Sequence, residues 1–531
     1  MLDIDALQRD LQARAPRAPI RRVETHVSWV LLCGAHAYKL KKPVRLGFLD
    51  FSTLEARRHA CEEELRLNRR LAPGLYIDVV AVRGTEQAPR IGGEPGPVID
   101  HAVCMRRFPD GALFSERLVA GSLSPVYVDR LARRIAAFHE AAPAADPASA
   151  FGTAEADEAA TRQLVAGLEA EAGAEALAPL RAWLEAEAAR LRPVRQARRA
   201  AGRVRECHGD LHLANAVVVD GDVVAFDCIE FDPALRWIDV MADVGFLAMD
   251  FVAHARPDFA YRFLDGWLER TGDHAGVAVL RQHMVQRALV RELVARLRRA
   301  PVREGPDYLA VARALARPGD ARLLIAHGVS GAGKSFVAQR LLEAAGAVRV
   351  RSDVERKRLF GLAALQRSAI RVPGGIYDED ATRRTFAVLR ERAQSILEAG
   401  HPAIVDAAFL RAEERAAFRA LADELGVPFA ILHCHAPVHA LRERVEQRWR
   451  QGRDPSEADL AVLERQLAHQ EPLTPAERPF AIDVDTSQPL DVAAIAARWF
   501  AAPAGPRAAP IALDGAVPGG SPDDRGRPTG G

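Results

Sequence analysis

Apolar and polar positions alternate through residues 21–50, as in Trp29-Val30-Leu31-Leu32-Cys33-Gly34 and then Ala37-Tyr38-Lys39-Leu40. A two-residue period broken by short turns predicts an antiparallel hairpin. A charged helical pattern follows from about Leu54 to Leu71 and stops at Ala72-Pro73-Gly74. Strand patterns return at Ile77–Val82 and Val98–Arg106, and from Pro125 to Ala200 the period becomes helical, rich in Ala, Glu and Arg. Val204 to Asp227 holds two short apolar runs around a polar loop, and helices resume from Trp237 to about Arg299. A strand-rich lobe followed by a helix-rich one predicts an α+β domain over 1–300. Pro- and Gly-bearing stretches at 300–306 and 317–320 mark a linker, 301–320. Beyond it apolar strands at Leu323–His327, Val348–Arg351, Ala403–Asp406, Phe429–His433 and Ala481–Val484 alternate with helices, which predicts an α/β domain with a parallel sheet over 321–500. The tail, 501–531, has too few large apolar residues to offset ordering entropy and is expected to be disordered.

The chain's 531 residues exceed what one core holds, in keeping with two domains. Lys plus Arg (72) balance Asp plus Glu (71), so no global field favours nucleic acid or an anionic membrane. No apolar run reaches the ~20 residues of a membrane span, and the start, Met1-Leu2-Asp3-Ile4-Asp5, is unlike a signal peptide. Six scattered cysteines without a C-x-x-C pair suit reduced thiols in the cytoplasm. His433-Cys434-His435 is not read as a metal site, because neighbouring strand residues point to opposite faces.

The chemistry concentrates in two places. Gly328-Val329-Ser330-Gly331-Ala332-Gly333-Lys334-Ser335 fits the P-loop pattern, with a strand, Leu323–Ala326, leading in and a helix, Ser335–Leu342, leading out. Its amides and the helix N-terminus suit phosphate oxygens. Lys334 is expected at the β- and γ-phosphates of ATP and the Ser335 hydroxyl on Mg2+. Asp406 ends the run Ala403-Ile404-Val405, where a second carboxylate would complete the metal shell. Asp353, just past the second strand, is either the base that takes the acceptor's proton or, with Ser352, a helix N-cap. Arg442, Arg444, Arg448, Arg450 and Arg453 form either a solvated face or a lid that neutralises the transferred phosphoryl group. The region 321–500 resembles small P-loop kinases such as gluconate kinase, chloramphenicol phosphotransferase and polynucleotide kinase, whose Asp-x-x-Arg is matched by Asp353 and Arg356.

The second place is Cys207-His208-Gly209-Asp210-Leu211-His212-Leu213-Ala214-Asn215, followed by a strand and Ala225-Phe226-Asp227. Kinase-like chemistry needs an Asp for the acceptor hydroxyl, an Asn five residues on for Mg2+ and a further Asp for Mg2+, the types found at Asp210, Asn215 and Asp227. The His-Gly-Asp-x-x-x-x-Asn run resembles the aminoglycoside phosphotransferase and choline kinase family over about residues 20–300. The resemblance implies a protein-kinase-like fold, with Lys39 on the α- and β-phosphates, Glu64 paired to it and Met105 near the adenine hinge. Lys41, Lys42, Glu62 and Glu63 are neighbouring alternatives, and Thr25-His26-Val27-Ser28 stands where protein kinases carry a Gly-rich loop. The order of the two modules resembles a group of bacterial two-domain proteins known only as predicted kinases. The expectation is a bifunctional ATP- and Mg2+-dependent phosphotransferase acting on hydroxyl groups of small molecules. The alternative is a single P-loop kinase regulated by a catalytically weak kinase-like module.

Overall fold

The computed structural model describes residues 2–15, 19–46, 49–92, 96–297, 305–368, 376–452 and 454–502. The start of the linker (301–304), Arg453 and the tail from 503 therefore lie outside the described residues.

The N-terminal lobe is a six-stranded antiparallel sheet in the spatial order Arg21–Glu24, Ser28–Cys33, His36–Lys41, Val98–Arg106, Tyr76–Thr85, Ala88–Ile91. Alternation decides its faces. Leu31 and Leu40 point down with Leu7 and Leu11 of a helix, Ile4–Arg14, that the pattern of residues 21–50 did not announce. Helix Leu54–Asn68, capped by the Thr53 side chain on the Ala56 N–H, covers the other face. The helical lobe contains Pro125–Ala141, Ala154–Ala172, Ala174–Ala200, Val240–Ala253, Pro257–Thr271 and Val277–Leu297. Helix does not resume at Trp237 as expected. Trp237–Asp239 pairs antiparallel with Val204–Glu206, and the Asp239 side chain then caps the helix that follows. Tyr308–Leu315, inside the stretch read as a linker, is a helix packed on Val277–Leu297, with the Tyr308 hydroxyl donating to Asp250 at 2.8 Å.

The second domain is a five-stranded parallel sheet in the order Val348–Arg351, Ala403–Asp406, Leu323–His327, Phe429–His435, Ala481–Asp485. Its central strand is buried at every position, as a sheet covered by helices on both faces requires. Helices Lys334–Ala345 and Val492–Phe500 close one face. Helices Glu379–Glu398 and Ala412–Leu425 close the other. Helix Pro257–Thr271 of the first domain packs directly on Lys334–Ala345 and Val348–Arg351, and one buried apolar cluster runs across the junction. No described helix is long and apolar enough to cross a membrane.

Candidate active sites

In the N-terminal lobe Lys39 and Lys41 are two residues apart on one strand, so both side chains leave the same face. They meet one carboxylate. The Lys39 Nζ donates to Glu64 Oε1 at 2.9 Å, and Lys41 donates to the other oxygen of Glu64 and to Glu230. Lys39 also contacts Asp227. Burial works to lower the Lys39 ammonium's pKa, but Asp227 and Glu64 outweigh it and keep it charged. Lys39 and Glu64 therefore pair, and Lys41 shares the same carboxylate. Glu63, the neighbouring alternative, faces Arg66 at 2.8 Å, while Lys42 pairs outward with Glu24 at 2.6 Å.

The Gly-rich loop is replaced by a turn that holds itself. The Thr25 Oγ1 accepts from the Ser28 N–H at 2.9 Å, and the Thr25 N–H donates to the Ser28 carbonyl at 2.9 Å. Below it lies a cavity of about 250 Å3 lined by Val30, Ala37, Lys39, Met105, Phe226 and Asp227. Apolar walls with a lysine and a carboxylate at one end suit a purine with its phosphates.

The loop that carries His208 to Asn215 hangs from Asp243, which accepts from the backbone N–H of His208 at 2.7 Å and of Gly209 at 2.9 Å. Asp243 also meets His139 Nε2 at 3.2 Å, and Trp267 donates to the other nitrogen of that ring at 3.1 Å. The buried His139–Cys207–Asp243 trio is therefore scaffold, its polar atoms already engaged. Gly209 has φ +86°, and a Cβ there would stand 2.7 Å from the Leu235 carbonyl oxygen, so the turn admits only glycine. Asn215 spends its amide nitrogen on Asp210, at 2.9 Å to the carbonyl and 3.1 Å to the carboxylate, which leaves its side-chain oxygen as the metal-competent atom. The hairpin Ala216–Val219/Asp222–Ala225 then delivers Asp227, held at φ +66° with its side chain 40% exposed. A non-glycine residue in the left-handed region is strained and is characteristic of functional turns. Asp210 faces the open side. Burial would raise its pKa, but His212, Arg291 and His208 outweigh this and hold it ionised, well below the usual range.

In the second domain the loop Gly328–Gly333 joins the buried central strand to helix Lys334–Ala345, one residue earlier than the pattern predicted. Gly328 has φ +139°, and a Cβ there would meet the Cys434 carbonyl oxygen at 2.3 Å. Lys334 Nζ donates to the Val329 carbonyl at 3.0 Å, with burial pulling its pKa down. Asp406 and Asp353 both act electrostatically on the Lys334 ammonium. Asp406 sits opposite Arg351 on the next strand, 3.6 Å from its Nε, and its Oδ2 is buried without a hydrogen bond. That oxygen also lies 3.9 Å from Arg349 Nη1, and a carboxylate oxygen that makes no hydrogen bond beside a phosphate cradle fits a metal or its water. Asp353 lies in the first turn of helix Ser352–Leu359, whose N-cap position is Arg351, with no side-chain cap. The N-cap reading of Ser352 and Asp353 is thus corrected, because the helix begins one residue earlier than a cap would need. Arg356 instead reaches the Ile376 carbonyl at 3.0 Å.

The arginines of helix Val438–Gln451 divide by face. Arg444 donates to the Gly331 carbonyl at 3.2 Å and to Thr486 at 2.8 Å, against the P-loop, and Arg448 binds the Ala458 carbonyl at 3.1 Å. Arg442 and Arg450 pair outward with Glu464 and Glu446. Pattern reading missed Gln466, whose side-chain oxygen accepts from the Ser330 N–H at 2.7 Å. A lone Gln in a helix carries no signal that would have found it.

Residues 48–280 match the sequence model of the Phosphotransferase enzyme family, and residues 323–473 match that of an AAA domain. The chain is 29% identical over 435 residues to the "Uncharacterized protein Rv2004c" of Mycobacterium tuberculosis and, at the same level, to the "Uncharacterized protein Mb2027c" of Mycobacterium bovis, covering 80% of this chain and 85% of each relative. Among solved structures it is similar to a choline/ethanolamine kinase family protein from Mesorhizobium loti (14% identity, 59% of this chain, 92% of that one, TM-score 0.35). It is also similar to a gluconokinase from Sinorhizobium meliloti (25% identity, 35% of this chain, 92% of that one, TM-score 0.25). The chain thus pairs a kinase-like N-terminal domain with a P-loop kinase domain.

Proposed function

We propose that the chain is a bifunctional phosphotransferase that moves the γ-phosphoryl group of ATP to small-molecule hydroxyl groups at two separate sites. What supports this reading is that each domain has its own candidates for a cation at the phosphates, for metal-competent oxygens and for an acceptor carboxylate, among them the pairs Lys39–Glu64 and Asn215–Asp210 and the charges of Asp406 and Asp353 on Lys334. In the first these are Lys39 with Glu64, then Asn215 and Asp227, then Asp210. In the second they are Lys334 with the loop amides, then Ser335 and Asp406, then Asp353. Mg2+ would be held by Asn215 and Asp227 in the first domain and by Ser335 and Asp406 in the second, and would supply charge neutralisation for the phosphates. Lys39 is tied between strand and helix, so it offers a fixed cation to the phosphates. Asp210 is held ionised and so accepts the hydroxyl proton late in a loose transition state. Arg444 lies against the P-loop backbone and Arg448 acts electrostatically on Lys334, so these two are the lid arginines we place nearest a transferred phosphoryl group. Six free thiols and the demand for ATP suit the cytoplasm.

The experiment uses the full chain with the P-loop silenced by Lys334→Ala. Asp210→Ala on that background removes phosphoryl transfer but spares Mg·ATP binding, whereas Asp227→Ala weakens the binding itself. Mg·ATP binding without transfer in the Lys334→Ala chain would favour the regulatory reading, which the absent Gly-rich loop supports.

A further inference from the structure

The acceptor side of the N-terminal site carries two guanidinium groups that, among the described residues, form no ion pair with a carboxylate. Arg287 and Arg291 lie one turn apart on helix Val277–Leu297 and share a face. Asp210 acts electrostatically on both. Among the described residues neither makes an ion pair, because the other carboxylates nearby are spent. Asp243 holds the loop that carries His208, Asp157 holds Arg195 at 2.6 Å and the Gln286 amide at 3.1 Å, and Asp250 accepts from Tyr308 at 2.8 Å and the Leu213 N–H at 2.9 Å. Arg287 rests on the Phe246 ring, 5.1 Å from its centroid, and Arg291 lies over Tyr308 at 5.4 Å with its Nε 3.4 Å from the hydroxyl.

His212 closes the argument for Arg291. Its Nδ1 accepts the Ala214 N–H at 3.2 Å, which leaves a hydrogen on Nε2, 3.4 Å from Asp210 Oδ2. A terminal nitrogen of Arg291 stands 3.3 Å from that same Nε2 and meets an N–H there, not a lone pair. Both arginines are partly buried and still reachable, and among the described residues neither is tied to a carboxylate in an ion pair. Guanidinium groups in this condition match a carboxylate or phosphate, which accepts their paired N–H bonds. An amine-bearing acceptor such as choline or an aminoglycoside would meet two like charges instead.

We infer that the N-terminal site takes an anionic alcohol, a small hydroxylated carboxylate or phosphate ester, with its negative group on Arg287 and Arg291 and its hydroxyl facing Asp210. The inference rests on the phosphotransferase reading of this lobe. In the reaction the hydroxyl oxygen bonds to the γ-phosphorus of ATP, the bond from that phosphorus to the β–γ bridging oxygen breaks, ADP leaves with the electron pair, and the hydroxyl proton passes to Asp210.

The test uses the full chain with Lys334→Ala and radiolabelled ATP against matched acceptors: gluconate, glycerate and glucose 6-phosphate as anions, glucose and glycerol as neutrals, choline and kanamycin as cations. Transfer is expected to an anion, and carboxylate against phosphate is separated by which member is labelled. Arg287→Gln and Arg291→Gln should each raise that acceptor's KM by about tenfold or more, the loss of a charge-assisted bond, with the KM for ATP and the melting temperature unchanged. Preference for neutral or cationic acceptors overturns the inference, as does a rise in the KM for ATP in place of the acceptor's. If nothing is labelled, calorimetry of the same anions in saturating Mg·ADP decides. Binding lost in both glutamine variants supports the anion subsite while the phosphotransferase reading fails, and no anion binding overturns the inference.

Discussion

Replacing Glu64 by Gln tests the buried tie that holds Lys39. In the native lobe one carboxylate, 0% exposed, accepts from both Lys39 and Lys41. Glutamine keeps the shape but turns one acceptor oxygen into an NH2 donor, so one ammonium then faces N–H groups. Neither lysine is orphaned, since Lys41, 1% exposed, retains Glu230 and Lys39 retains Asp227. The cost therefore falls below the ~3–5 kcal/mol of an unpaired buried charge and near the ~1.5–3 kcal/mol of one hydrogen bond to a charged group. We expect about 2–3 kcal/mol. In a Lys41→Met background the amide oxygen serves Lys39 alone. Glu230, whose carboxyl burial already pushes up in pKa, takes a proton there. Glu64→Gln should then cost under ~1 kcal/mol, a coupling energy of about 1–2 kcal/mol. Urea unfolding of the four chains of the cycle measures it, and hydrogen exchange over 36–41 and 54–68 localises the loss. With Lys334→Ala added, Glu64→Gln should also raise the KM for ATP, because Lys39 is released toward Asp227. A cost within ~0.5 kcal/mol of zero, or the same cost in both backgrounds, would refute the shared-carboxylate reasoning.

Three further outcomes follow from the second domain and its junction with the first. Asp353→Asn should lower kcat of the P-loop half by about 10²–10⁴-fold with ATP affinity unchanged, measured by steady-state kinetics with Asp210→Ala silencing the other half. Arg351 is shared by Glu269 of the first domain at 2.8 Å and Asp406 at 3.6 Å. Glu269→Gln should leave it on Asp406 and raise half-saturating Mg2+ about fivefold, the equivalent of ~1 kcal/mol, while Arg351→Met shifts it the other way in the same titration. His274 and His401 are buried at the junction, and burial, with Arg392 beside the first and Arg281 beside the second, pulls each pKa down to about 3. The unfolded chain takes these protons below pH ~6.5 and the folded one does not. Each histidine's contribution is thus present above pH ~6.5 and lost toward pH 3, about 2 kcal/mol by pH 5. His274→Gln should therefore flatten the fall in urea stability between pH 7.5 and 5 by about that amount. An unchanged slope would contradict it.

The parts legible in the sequence are those where local chemistry is dense. The P-loop needs glycines at fixed positions between a strand and a helix. Asp210 and Asn215 precede one hairpin and Asp227 follows it at fixed separations, so their spacing can be read from the sequence. Lys39 was separable from Lys42 only by strand facing, and from Lys41 not even by that, because both share a face and both reach Glu64. Trp237–Asp239 looked helical because its strand partner, Val204–Glu206, is over thirty residues away in a pairing no local period records. Arg287, Arg291 and Gln466 lie on helices where arginine and glutamine are ordinary surface residues. Their significance comes from which carboxylates and amides are already engaged around them. The tie between Arg351, Glu269 and Asp406 crosses the domain junction, and nothing in one domain's pattern encodes the face of the other.

The central claim is that one chain holds two nucleotide sites, and binding stoichiometry tests it most directly. Equilibrium dialysis of the full chain with Mg2+ and a non-hydrolysable ATP analogue should find two equivalents bound per chain. Lys334→Ala and Lys39→Ala should each leave one, and the double variant none. One equivalent in the unmutated chain, abolished by Lys334→Ala and untouched by Lys39→Ala in a folded protein, would contradict the two-site account.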